Sequence, residues 1–148
     1  MKTNSNQSSN QQQLVKLISL GDTEVGKSCL IKKYCEGNFV SDYVTTIGID
    51  YGVKKITKNN QTLAINIFDF SGDDDYKSIR KDYISDFLGL LLVFDVNIKS
   101  TFENIVKWEK EAMMNNVDLS KIVVFLIGNK VDVKNRREVN TTIAKDFA

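Results

Sequence analysis

Three short clusters in this 148-residue chain carry residue types whose spacing could do chemistry. The first is Gly21-Asp22-Thr23-Glu24-Val25-Gly26-Lys27-Ser28, followed at once by Cys29. Glycines at both ends of such a loop let the backbone curl until successive N–H groups point inward at an anion. A helix starting at Lys27 would add its unpaired N–H groups and positive dipole end. Lys27 is placed to reach the outer phosphates of a nucleotide as a point charge, and the Ser28 hydroxyl to sit on a magnesium ion. The loop follows an apolar run, 14–20, and leads into a helix-forming stretch, 29–34. That strand–loop–helix context separates a phosphate cradle from an ordinary glycine-containing turn.

The second cluster is Asp69-x-x-Gly72. Asp69 ends an apolar strand, where a carboxylate is costly unless a cation meets it. Magnesium, held through a water and shared with Ser28, would supply that charge; the plainer alternative is a solvated strand-end aspartate. Gly72 would let its backbone N–H approach a terminal phosphate. Thr46 offers a hydroxyl to the same ion and an N–H to the same phosphate, although the adjacent Thr45 could do either. The third cluster is Asn129-Lys130-Val131-Asp132. A carboxylate here accepts from the two N–H groups on the Watson–Crick edge of guanine, an edge that adenine cannot match. The lysine stem can lie along the base.

Composition narrows the chemistry. The chain has no histidine, which excludes Ser-His-Asp and Cys-His catalysis and histidine-ligated metals. A net charge of +1 supplies no bulk basic field for nucleic acid or an anionic membrane. Two cysteines, Cys29 and Cys35, read as reduced thiols of a cytoplasmic protein. No signal peptide is visible, Lys2 rules out N-myristoylation, and no C-terminal cysteine supports prenylation. The longest apolar run, 87–94, is too short to cross a bilayer and reads as a buried strand.

The elements that must position these clusters follow in order. Residues 1–12, rich in Asn, Ser and Gln, read as a disordered tail, and 13–148 as one domain. A strand is expected over 13–20, a helix from Lys27 to near Gly37, and a loop over 38–48. Two alternating runs, with Ile49, Tyr51 and Val53 on one face and Leu63, Ile65 and Ile67 on the other strand, form a hairpin turning at Asn59-Asn60. An acidic loop and a helix to about Asp86 come next, then a strand over 88–95. Ser100-Thr101-Phe102-Glu103 reads as a capping box. Its helix would turn Phe102, Ile105, Val106, Ala112 and Met113 to one side. A fifth strand over 122–127 reads as covered on both faces. The order predicts a doubly wound α/β sheet with one antiparallel strand. All three clusters fall at carboxyl ends of strands, where ligands bind in such sheets.

These motifs in this order resemble the Ras superfamily of small GTPases, within the P-loop NTPases. Gly48-Ile49-Asp50-Tyr51 after Thr46-Ile47 looks most like the Rab branch, and the stretch 27–53 is similar to the Rab-like GTPases that carry a J domain. The resemblance covers about 14–148. It implies a GTP/GDP switch that needs Mg2+ and acts in signalling or vesicle traffic through effectors, exchange factors and GTPase-activating proteins. Membrane association would come through partners. By the same resemblance, Phe39 would pack against the guanine edge, and Tyr51, Phe68 and Tyr83 match the aromatic partner-binding triad of Rabs; simple packing within the hairpin and helix is the equal alternative. Ser28, Thr46 and Asp69 would serve the metal, and Lys27 and Thr46 the chemistry.

Three departures stand out. Asp73 occupies the place of the glutamine that orients the attacking water; it is shorter, acceptor-only when ionised, and puts negative charge beside a γ-phosphate. Slow intrinsic hydrolysis is therefore expected. Phe70 and Ser71 replace small residues. Finally, the family continues into a sixth strand, a base-contacting loop and a last helix beyond Ala148, so the fifth strand is expected to be an open edge. Two other readings compete: a nucleotide-binding scaffold without useful hydrolysis, and a small-metabolite kinase, which the three arginines (Arg80, Arg136, Arg137) do not support with a lid.

Overall fold

The computed structural model describes residues 13–39, 44–59, 61–114, 117–133 and 136–148. The expected tail over 1–12 lies outside the described residues, as do 40–43 of the expected loop and Asn60 of the hairpin turn. Strands β1 (Gln13–Leu20), β2 (Ile49–Lys58), β3 (Gln61–Phe70), β4 (Gly89–Asp95) and β5 (Val123–Asn129) form one sheet in the order β2-β3-β1-β4-β5. Only β2 runs antiparallel, paired with β3, as the alternating hairpin pattern predicts. The helices are α1 (Lys27–Glu36), α2 (Lys77–Tyr83), α3 (Lys99–Glu103), α4 (Ile105–Met113) and α5 (Thr141–Phe147).

Register decides where the loops emerge. Ser19 pairs with Asp69 across β1 and β3, and Asp95 pairs with Asn129 across β4 and β5. The carboxyl ends of β1 and β3, and of β4 and β5, are therefore level, while β4 runs on from Leu92, the partner of Leu20, to Asp95. The loop after β1, the turn after β3 and the turn after β5 leave the same edge side by side.

The core is a cluster of Ile18, Leu20, Leu90, Leu92 and Phe94 from the central strands with Ile105, Trp108 and Ala112 from α4. Burying each of the Ile, Leu and Phe side chains contributes about 1.5–3 kcal/mol. Trp108, only 1 % exposed, is the largest fully buried side chain and anchors α4 on the sheet.

Four local expectations need correction. First, the helix expected to reach Asp86 stops at Tyr83, after a 3-10 turn at Asp74–Tyr76. Lys16 Nζ, from β1, donates to the carbonyls of Tyr83 and Ser85 (2.8 Å each), and Asp86 takes a left-handed backbone (φ 51°) that turns the chain into β4. Second, Ser100 does not cap its helix. The helix starts at Lys99, whose N–H donates to Glu138 Oε2 (2.7 Å), while the Thr101 hydroxyl donates to the Ile98 carbonyl (2.7 Å). A remote carboxylate thus replaces the local box. Third, the buried stripe of the following helix is Ile105, Trp108 and Ala112, spaced i, i+3 and i+7; Val106 and Met113 are exposed. Fourth, β5 is the edge strand expected, but it is not covered on both faces: Val123, Val124 and Phe125 are exposed. Among the described residues, no helix is long and apolar enough to cross a membrane.

Candidate functional site

The cleft at the carboxyl edge of the sheet is lined by Thr23, Glu24, Gly26, Lys27, Ser28 and Cys29 from the loop after β1 and the start of α1. Thr45 and Thr46 face them from before β2, with Ser71 and Gly72 after β3 and Lys130 after β5. Gly26 stands at the N-cap of α1 with φ 92°, a left-handed conformation that glycine adopts without penalty. A Cβ on it would lie 2.4 Å from Asn129 Nδ2. Two non-glycine residues of the clusters, Glu24 (φ 62°) and Lys130 (φ 60°), are also left-handed. Such backbones are stored at functional sites at about 1–3 kcal/mol each.

Lys27 is buried, and its ammonium donates to the carbonyls of Gly21 (2.9 Å) and Asp22 (2.7 Å). Burial pushes its pKa down to about 8, although the charges of Asp69 and Asp22 favour the ammonium. Asp69 is the mirror case. Burial pushes its carboxyl up, while a hydrogen bond from Ser28 and the charge of Lys27 oppose the rise. Asp69 Oδ1 is buried without a hydrogen-bond partner among the described residues. An orphaned acceptor of this kind costs about 1–3 kcal/mol. The Ser28 hydroxyl, which faces Asp69, lies 2.7 Å from the Thr46 hydroxyl. Two hydroxyls and a partnerless carboxylate oxygen are the hard donors magnesium takes, so these residues fit the ion. Thr45 lines the cleft too, but the contact with Ser28 is made by Thr46.

On the far side, Asn129 Nδ2 donates to the Val25 carbonyl (2.9 Å), tying the end of β5 to the loop after β1. Lys130 Nζ pairs with Asp95 Oδ2 (2.9 Å), and its carbonyl accepts from Asn97 Nδ2 (3.0 Å). Asp95 Oδ1 accepts from the Asn97 N–H and Nδ2, both at 2.9 Å. Burial works to raise the Asp95 carboxyl, but the donors from Asn97 and Lys130 outweigh it and hold the group below the usual carboxylate range. Asp95 and Asn97 therefore fix the lysine of the N-K-x-D motif.

Residues 16–148 match the profile of the Ras family. The chain belongs to the Ras family. It is similar to DnaJ homolog subfamily C member 27 of Danio rerio, 40% identical over 137 residues, which are 90% of this chain and 50% of that protein. The match to the Homo sapiens protein of that name is 39% identical over 137 residues, 90% of this chain and 50% of the relative. DnaJ homolog subfamily C member 27-A of Xenopus laevis is 40% identical over 129 residues, 85% of this chain and 47% of that protein. The chain thus spans about half the length of the curated relatives it matches, and the narrower likeness to J-domain Rab-like GTPases holds.

Within this Ras-family domain, not every expected site residue lines the cleft: Gly21, Asp22, Val25, Asp69 and Asn129 do not form its surface. Phe39 and Asp132 are exposed and do not line it. Asp73 does not line it either; its Oδ1 accepts from the Asp75 N–H (3.0 Å) and caps the 3-10 turn. The Asp22 side chain also points away, accepting from Trp108 Nε1 (2.7 Å) and Asn104 Nδ2 (2.8 Å). Of the triad positions, Tyr51 and Tyr83 are exposed, while Phe68 is half-buried beneath the Lys16 ammonium at 4.7 Å. Arg80, Asn104, Trp108 and Glu111 were not legible as site residues. The usable signal was that a lone tryptophan on an apolar stripe brings a buried indole N–H that needs an acceptor.

Proposed function

We propose that this Ras-family domain binds GTP and GDP with Mg2+ and works as a switch read by effector, exchange-factor and GTPase-activating proteins. The observation that carries the reading is the partnerless, buried Asp69 Oδ1 beside the paired hydroxyls of Ser28 and Thr46, under a loop that a glycine backbone curls. Magnesium, when bound, supplies positive charge against the phosphate oxygens. Gly21, Asp22, Thr23, Glu24, Val25, Gly26 and Cys29 offer backbone N–H groups to the phosphates, and Lys27 an ammonium. Gly72 brings its N–H toward the terminal phosphate. Asn129 and Lys130 frame the base, with Asp132 accepting from its N–H groups and Phe39 closing on its edge once the loops order. Residues 13–148 form the nucleotide domain, acting in the cytoplasm and reaching any membrane through partners.

Hydrolysis is slow in this reading. Asp73 has no amide to orient a water, and its carboxylate is already engaged in capping. That engagement also favours a second reading, a nucleotide-dependent scaffold that retains GTP without useful turnover. The test is mass-spectrometric identification of the nucleotide that copurifies with the protein. GDP or GTP is expected. A folded protein that emerges empty and ignores guanine nucleotides with magnesium present would overturn the reading, and an adenine nucleotide would overturn its base assignment.

A further inference from the structure

Arg80 is fully buried, with 0 % of its surface exposed, and its guanidinium reaches Ser71, Asp73 and Glu111, with the exposed Asp74 carboxylate 3.7 Å from Nη2. Its Nη1 donates to the carbonyls of Ser71 (2.9 Å) and Asp73 (2.5 Å), the two residues that flank Gly72. Its Nε donates to Glu111 Oε1 (2.5 Å) and its Nη2 to Glu111 Oε2 (3.4 Å). The guanidinium also lies 5.0 Å from the Trp108 ring. Glu111 is itself buried and belongs to α4.

The same segment holds the loop after β1. Asn104, Trp108 and Glu111 are spaced i, i+4 and i+7, so they share one side of the helix. The first two donate to Asp22; the third holds Arg80. One rigid element thus braces both walls of the cleft. The walls touch at Gly72, where a Cβ would lie 2.4 Å from Asp22 C and Thr23 N. Further ties come from the Ser71 N–H, which donates to the Gly48 carbonyl (2.9 Å), and the Asp73 N–H, which donates to Ser71 Oγ (3.3 Å). Among the described residues nothing accepts from the Gly72 N–H. A buried ion pair contributes little net stability, since desolvation offsets the attraction. Its effect here is geometric.

We propose that Arg80 and Glu111 are positioning residues that hold the Gly72 N–H toward the terminal phosphate, so that they set the preference for guanosine tri- over diphosphate. This rests on the nucleotide reading above. The diphosphate ends short of Gly72 and is held by the loop after β1, which Trp108 and Asn104 brace independently. Loss of the Arg80 tether therefore weakens the triphosphate complex selectively.

The experiment measures dissociation constants for GDP and a non-hydrolysable GTP analogue, with magnesium, on the whole chain. The variants are Glu111→Gln, Arg80→Lys and the apolar pair Arg80→Met with Glu111→Leu, which leaves no buried charge unpaired. Lysine keeps the charge but lacks the fork that reaches two carbonyls and a carboxylate together. For Arg80→Lys and the apolar pair, the analogue should bind about tenfold more weakly, the loss of one good hydrogen bond, with GDP within about twofold. Glu111→Gln keeps one acceptor for Arg80 but replaces the second with an amide NH2 that cannot accept, and should fall between. Retained GDP binding reports that each variant is folded. Trp108, the only tryptophan, gives a second readout: its fluorescence should differ between GDP and analogue complexes in the parent and not in the apolar pair. Equal loss of both nucleotides, or an unchanged ratio, overturns the tether alone. A parent that binds neither nucleotide overturns the nucleotide reading and the tether with it.

Discussion

The buried Lys27 ammonium makes a pH-dependent signature that can be worked from the structure. The folded protein holds its pKa near 8 against 10.5 for the free side chain, chiefly because burial disfavours the charge. At 1.36 kcal/mol per pH unit, that depression corresponds to about 3 kcal/mol. Between pH 8 and 10.5 the unfolded chain binds the proton that the folded protein has released, so stability without nucleotide rises with pH across this window. Below it, both states hold the proton and the folded state bears the full penalty. Other groups titrate in the same range, so the measurement is a difference: urea unfolding of the parent and of Lys27→Met at a series of pH values. The parent should gain on the variant by up to about 1.4 kcal/mol per pH unit above pH 8. A flat difference curve would refute the claim that burial sets this pKa. Phosphate brought against Lys27 would pull the proton back on. GDP affinity for the parent should accordingly fall toward tenfold per pH unit above about 8, and an affinity indifferent to pH would mean that Lys27 does not meet phosphate as an ammonium.

Three further outcomes are expected. Asp73→Gln should release phosphate faster than the parent in single-turnover assays; parent turnover equal to or above the variant would end the slow-hydrolysis reading. Asp95→Asn removes the charge facing Lys130 at 2.9 Å and should raise the GDP off-rate about tenfold, the weight of one charge-assisted hydrogen bond, as stopped-flow release would register. Gly52→Ala would set a Cβ 2.7 Å from Cys35 Sγ and 2.8 Å from Ile31 Cγ2, prising α1 off β2. A stability loss of about 1–3 kcal/mol is expected from such overpacking, and an unchanged urea midpoint would show that α1 shifts freely.

Much of the architecture was legible because it is local. Period-two and continuous apolar runs marked β1 to β4, with β1 matched over 13–20, and Gly26-Lys27 and Gly37 bounded α1. The phosphate-loop, Asp69-x-x-Gly72 and Asn129-Lys130-x-Asp132 motifs declared themselves because their chemistry depends on neighbours within a few residues. Register and burial were decided only in three dimensions. The choice of Thr46 over Thr45 depends on a hydroxyl 18 residues away, and the cap of α3 on a carboxylate from Glu138, 39 residues from Lys99. The periodicity of α4 pointed to a stripe that includes Val106 and Met113, whereas packing of the Trp108 ring against the sheet leaves both exposed. Nothing within a few residues marks Arg80, which folding encloses between two carbonyls and Glu111, 31 residues on. A sequence specifies the groups that interact across a turn. Which distant groups must share a buried volume follows only when the chain has closed around them, since desolvation makes each partner obligatory.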